Sequence, residues 1–285
     1  GTGAMPGAHG VLGFHVRIPG SDRVLNHTRW ADVPDPAAWQ PVPTLFARAV
    51  TAGVAATVVA DGAFAGSGLS ASAYRGADYR AGDEVDELVA GVRATLATRD
   101  GPALVYVYHP DLDVTGHVYG IASPEWREAA ADVDRLVTML ATGLPPDTAL
   151  LVTADHGQLD VPPDHRFDID RDPRLREGVE VVAGEPRVRY LHVRRGAADD
   201  VADAWRGILG DTAWVATRQE VVDLGLFGPI PPDHVERVGD LVVVCRRDFA
   251  VTSYGHARRE AELVGYHGAM TAAEMEIPLI VIRGG

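Results

Sequence analysis

Four short apolar runs punctuate the chain: Ala55 to Ala60, Ala103 to Tyr108, Ala149 to Thr153 and Ile277 to Ile282. Runs of this length without polar alternation predict strands buried on both faces, as in parallel sheets. Between the first two, Val85, Leu88, Val89, Val92 and Leu96 recur at helical spacing. Between the second and third, Trp126, Val133, Leu136, Val137 and Leu140 do the same. Ser123 fits the N-cap of that second helix, Pro124 its first position and Gly143 its C-terminal end. Strands alternating with helices predict an α/β fold: a mostly parallel central sheet with helices on both faces. After Asp160 the pattern changes. Val161-Pro162-Pro163 opens a stretch dense in Asp and Arg, within which Tyr190 to Val193 and Leu241 to Val244 read as strands and Asp199 to Leu209 as a helix. The core pattern returns near Gly265. Residues 1–160 and 262–285 are therefore expected to form the α/β core, and 161–261 a small inserted α+β cap.

Composition narrows the function classes. With 46% hydrophobic residues the 285-residue chain can build a core without disulfides. A net charge of −14 argues against a nucleic-acid scaffold. It leaves small anionic substrates open, because bound metal ions reverse the local field. All 26 basic residues are Arg, which reads as compositional bias. The single Cys245 excludes an internal disulfide and, following Leu241 to Val244, is expected to be buried in a strand. No apolar run reaches the roughly 18 residues of a membrane span. No signal peptide is visible, but the chain opens Gly1-Thr2-Gly3 without Met, so the localisation stays open with the cytoplasm as the default.

Three stretches carry the chemistry: Pro110-Asp111-Leu112-Asp113-Val114-Thr115-Gly116-His117, Thr153-Ala154-Asp155-His156-Gly157 and Gly265-Tyr266-His267-Gly268. Each places carboxylates, imidazoles or both beside an expected core strand, and in open α/β sheets ligands collect at strand ends. Such oxygen and nitrogen donors suit zinc and similar divalent ions. Asp113 and His117 can converge on one ion. Asp111 is the alternative carboxylate. Thr115-Gly116 weighs against a helix there, so a tight loop is expected. Asp155 and His156 are adjacent and share a site only if the backbone turns, as Gly157 permits; otherwise they serve two neighbouring ions. Alone, each stretch reads as a turn or a loop histidine; together and in this order they read as a metal site. His109, before Pro110, is expected to orient a ligand from behind. His165, His234 and His256 have no partner spacing and are expected at the surface.

The order Asp113 to His117, then Asp155-His156-Gly157, then His267-Gly268 followed by Thr271, Glu274, Met275 and Pro278 resembles the type I phosphodiesterase/nucleotide pyrophosphatase branch of the alkaline phosphatase superfamily. Residues 1–10, with His9-Gly10, resemble the segment just after that family's nucleophile, so the resemblance covers nearly the whole chain. It implies an alkaline-phosphatase-like fold and two zinc ions. Asp113, His117 and His267 would hold one, and Asp155 and His156 would contribute to the other. It also implies that the Thr or Ser nucleophile, and a further Asp ligand at the end of a first strand, lie upstream of Gly1, so that no catalytic nucleophile is expected within the chain. Asp61 with Ser67 or Ser70 imitates the missing pair but stands in the wrong order, and Thr2 matches a position downstream of the nucleophile. Where the family carries a phosphate-contacting Asn after the His-Gly, this chain has Val11-Leu12-Gly13-Phe14, and Asn26 reads as a loop residue.

The implied function is zinc-dependent hydrolysis of a phosphodiester or nucleotide pyrophosphate bond in a small phosphorylated substrate. A phosphomonoesterase or phosphonate hydrolase of the same superfamily is the alternative. A catalytically inactive metal-binding fragment is the reading from a different class.

Overall fold

Ala55–Ala60 forms β1, which pairs in parallel with β2 (Asp78–Ala81) on one side and with the third strand, Ala103–Val107, on the other. The connection from β2 to that strand, β3, is α1 (Val85–Thr98), capped by reciprocal bonds between Glu84 and Glu87. Its apolar stripe, Val85, Leu88, Val89 and Val92, is buried with Val59 of β1. The computed structural model describes residues 1–30, 34–253 and 260–285.

Beyond β3 the chain makes two helices, α2 (Asp111–Tyr119) and α3 (Pro124–Ala141), and then β4 (Ala149–Thr153). The Ser123 side chain accepts from the Trp126 N–H, with Pro124 in the first turn, as expected. Helix α2 corrects the sequence reading, which placed a loop there. Gly116 is no helix breaker in this position. Its bare backbone makes room for the Gln158 side chain, and bare Gly265 lets the helix approach its strand, since a Cβ on Gly265 would come within 2.5 Å of the Gly116 carbonyl oxygen. Tertiary contact outweighs a propensity cost of about 1 kcal/mol for one helical glycine.

A second, antiparallel sheet runs in the order β7-β8-β6-β5, from Val179–Glu185 (β5), Val188–Val193 (β6), Ala213–Thr217 (β7) and Leu241–Cys245 (β8). Helix α4 (Ala198–Leu209) lays Val201, Ala202, Trp205 and Leu209 on one face of it. The other face buries Tyr190, Val242 and Val244 against Leu12, Val16, Leu25, Trp30 and Trp39 from the N-terminal stretch. Cys245 lies inside this sheet, and burial pushes its thiol up to about 11.

The last strand, β9 (Leu279–Arg283), returns to β4 and pairs with it antiparallel, Leu279 opposite Thr153 and Arg283 opposite Ala149. The fold is thus mixed α/β, with a parallel sheet, helices and several small antiparallel sheets. Among the described residues, β3 pairs only with β1 and β4 only with β9, so each keeps one unpaired edge. Apolar side chains stand open along these strands: Leu104 and Tyr106 on β3, Leu151 on β4 (61% exposed) and Leu279 on β9 (69% exposed).

Candidate metal centre

Helix α2 sets two donors on one face, because residues four apart lie one above the other. Asp113 Oδ1 stands 3.4 Å from His117 Nε2. The His117 Nδ1–H donates to the Gly265 carbonyl at 2.8 Å, which fixes the tautomer and leaves the Nε2 lone pair facing inward. Gly265–Tyr266 forms a short strand paired with Leu159–Asp160, and the turn that follows delivers His267. Gly268, at φ +117°, supplies a backbone conformation that side-chain-bearing residues rarely adopt. His267 Nε2 then lies 3.2 Å from His117 Nε2 and 3.7 Å from Asp113 Oδ1.

His156 joins the group from β4. Its ring stacks on that of His267, centroids 3.5 Å apart and planes 10° from parallel. Its Nδ1 lies 3.0 Å from the Gly157 carbonyl oxygen. Asp113, His156 and His267 each offer a donor atom within 4.8 Å of the others. The structure therefore draws together four of the five expected ligands, Asp113, His117, His156 and His267. The fifth, Asp155, keeps an exposed carboxylate 3.8 Å from His156 Nε2. Asp111 points away at the start of α2, its side chain mostly exposed, so Asp113 is the carboxylate that faces the cluster. His109 is half-buried, and its ion-pair contact is with Asp111 at 3.9 Å.

The electrostatics suit a cation. Burial, then the neighbouring His156 and His117, push His267 down to about 3, so it stays a neutral donor at any ordinary pH. Burial pushes the Asp113 carboxyl up, against the pull of His117 and His156. A divalent charge among these donors would reverse that penalty. The spacing fits too. Donors about 2.0–2.1 Å from a tetrahedral ion stand roughly 3.3–3.5 Å apart, against the observed 3.2, 3.4 and 3.7 Å.

Some neighbours were not read from the sequence. Gln158 donates from Nε2 to the Asp113 carboxylate and carbonyl, both at 3.3 Å, and buttresses α2 where Gly116 leaves room. Tyr108, after β3, is pushed up to about 12 by burial and by the charges of Asp155 and Asp113. Burial and Asp155 also push Tyr106 up. Only the i, i+2 spacing of the two tyrosines at a strand end marked them in advance.

The decoys resolve as local caps. Asp61 accepts from the Ala63 N–H, and Ser67 caps the helix Gly68–Ala73. Thr2 accepts from the Ala4 N–H, and Asn26 accepts from Thr28. His165 is partly exposed and lies 3.1 Å from Asp248, while His256 lies outside the described residues. His234 corrects the expectation of a surface residue. It is 4% exposed, with Nδ1 donating to the Gly7 carbonyl at 2.9 Å, because the N-terminal stretch folds over it.

Known proteins share this fold. Murine ectonucleotide pyrophosphatase/phosphodiesterase 5 has a similar fold, with a TM-score of 0.74 at 21% identity over 98% of this chain and 73% of that one. The human protein of the same name gives 0.73 at 15% identity over the same shares. Phosphonoacetate hydrolase of Sinorhizobium meliloti 1021, in complex with phosphonoacetate, gives 0.64 at 19% identity over 98% of this chain and 75% of that one. No curated protein matches the chain. The family model for type I phosphodiesterase/nucleotide pyrophosphatase matches residues 1–270. With that match over nearly the whole chain, the protein belongs to the type I phosphodiesterase/nucleotide pyrophosphatase family.

Proposed function

We propose that the chain forms the metal-binding part of a zinc-dependent hydrolase acting on phosphodiester or nucleotide pyrophosphate bonds. The observation that carries this reading is the convergence of Asp113 Oδ1, His117 Nε2 and His267 Nε2 within 3.2 to 3.7 Å of one another. In this reading those three hold one ion, and Asp155 and His156 contribute to a second. Mixed imidazole and carboxylate donors favour zinc among the common divalent ions. Bound there, the pair would supply Lewis acidity toward a phosphoryl oxygen, the nucleophile and the leaving oxygen. The chain's own contribution is orientation. Gly265 fixes the His117 tautomer, Gln158 holds Asp113, and burial keeps His267 neutral.

The nucleophile, a Thr or Ser forming a phospho-enzyme, is proposed to come from a strand upstream of Gly1. Two observations support this. The edges of β3 and β4 are unpaired among the described residues, and their apolar side chains are open. The Asp155 charge after β4 adds to burial in pushing up Tyr106 and Tyr108 at the end of β3, so the two strand ends lie within electrostatic reach of each other. An apolar strand between them would end beside the donor cluster. The murine relative is also known as an inactive variant in complex with AMP, which supports a small phosphorylated substrate. The likeness to a phosphonoacetate hydrolase keeps phosphonates and phosphomonoesters as the second reading.

The test compares this 285-residue chain with a version extended upstream, on one chromogenic diester, one monoester and one phosphonate. The extended protein should turn over the diester fastest, lose activity to chelator and regain it with zinc. The 285-residue chain should match a metal-free control. Equal rates from both forms, abolished by Ser67→Ala, would move the nucleophile into this chain. An extended protein inactive on all three substrates would leave a metal-binding domain without catalysis.

A further inference from the structure

We propose that a fully buried ion pair, Arg187–Glu274, is the positioning device that sets the spacing of His156 and His267. The inference rests on the metal-binding reading of those histidines. Arg187 sits at the turn between β5 and β6 of the antiparallel sheet, and Glu274 lies in the short helix Ala272–Met275 before β9. Their side chains are 0% and 1% exposed. The pair is bidentate: Arg187 Nε donates to Glu274 Oε1 at 2.9 Å and Nη2 to Oε2 at 2.8 Å. Arg187 Nη1 donates to the Phe249 carbonyl, and the Cys245 N–H donates to the Arg187 carbonyl, so the side chain and the backbone of Arg187 are both held in place.

The carboxylate does more than meet the arginine. Glu274 Oε1 also accepts the Ala269 N–H at 2.9 Å, two residues beyond His267. Oε2 accepts the Thr271 hydroxyl at 2.6 Å and its N–H at 3.3 Å. The chain from 269 to 274 is therefore wound around one anion. The backbone of the same residue holds the other histidine turn, since the Glu274 carbonyl accepts the Gly157 N–H at 2.8 Å. A Cβ on Gly157 would collide with the Ala273 carbonyl oxygen, so the two turns lie in direct contact. Glu274 is thus tied both to the turn after His156 and to the turn after His267. Arg187 fixes where it stands relative to the antiparallel sheet. Stacking of the two rings at 3.5 Å follows from that junction.

An isolated buried pair is weak evidence for stabilisation, because desolvation offsets much of the attraction. A pair retained for placement should therefore betray itself in ligand geometry more than in stability. The experiment uses this chain with zinc as the probe. Arg187→Met, Glu274→Gln and the double variant Arg187→Met/Glu274→Leu are compared with Leu209→Ala, a core truncation under α4 away from the histidines. Zinc affinity is measured by calorimetry, and amide hydrogen exchange at Gly157 and Ala269 is followed in the metal-free protein. The double variant leaves no unpaired buried charge and should stay folded. It should bind zinc at least tenfold more weakly and lose protection at both amides. Leu209→Ala should lower the melting temperature while leaving zinc affinity within twofold of the parent. A folded double variant with parental zinc affinity and parental protection would overturn the inference. If the parent chain takes up no zinc, the metal reading fails, and the exchange data alone decide whether Arg187–Glu274 holds the two turns.

Discussion

His267 is the residue on which the candidate centre turns. It touches His117, His156 and Asp113, and its neutrality follows from burial and from two neighbouring imidazoles. The chain should take up zinc, and His267→Ala should weaken binding by at least tenfold in calorimetry, since three or four protein donors are the norm for such sites. A second equivalent should bind more weakly, because Asp155 and His156 alone are too few; a titration with two equally tight steps would count against that assignment. Two other histidines govern pH behaviour without metal. His27 is locked neutral, with the Trp39 indole donating to its Nε2 and its own Nδ1–H donating to the Phe14 carbonyl. His192 is fully buried, and neither ring nitrogen has a hydrogen-bond partner among the described residues. Burial pushes both down to about 4 from an ordinary value of 6.5. Below 6.5 the unfolded chain gains a proton at each that the folded chain refuses. Stability is therefore full above pH 6.5 and is lost as pH falls toward 4. Urea unfolding at stepped pH should show this decline, and His192→Leu should make it shallower.

Glycines in α2, in the Asp-His-Gly turn and in α4 play opposite parts. Gly157 lies where a methyl would strike the Ala273 carbonyl oxygen, a backbone atom that cannot swing aside. Gly157→Ala should cost about 1–3 kcal/mol, the usual range for overpacking, and should weaken zinc binding as well. Gly207, exposed in α4, meets nothing within 4 Å. Gly207→Ala should stabilise by roughly 0.5–1 kcal/mol through helix propensity alone. Chemical denaturation of the two variants side by side checks both signs. The same contrast explains α2, where Gly116 is tolerated because a Cβ there would strike the Gln158 side chain.

At the scale of the molecule, β3 and β4 each have an unpaired edge among the described residues, and apolar side chains stand open beside them, Leu104, Tyr106, Leu151 and Leu279 among them. Unpaired apolar edges are sites of strand addition or aggregation. A protein extended upstream by the proposed strand should melt at a higher temperature than this chain and associate less at equal concentration, by calorimetry and light scattering. An extension that leaves both properties unchanged would argue that the strand docks elsewhere.

Local chemistry was enough for much of this. Runs such as Ala55–Ala60 and Ala149–Thr153 announced strands, Ser123-Pro124 announced the start of α3, and the donor types of Asp113, His117, His156 and His267 marked the residues that cluster. These features depend on a residue and its near neighbours, so they survive in one dimension. What tertiary structure decided involves partners far apart in the chain. The helix at 111–119, the tautomer of His117 and the burial of His234 are set by Gly265, 148 residues beyond His117, and by Gly7, 227 residues before His234. The approach of His117 to His267 spans 150 residues, and the Arg187–Glu274 pair spans 87. No periodicity encodes such meetings, because they arise only when burial of the separate apolar faces brings the strand ends together.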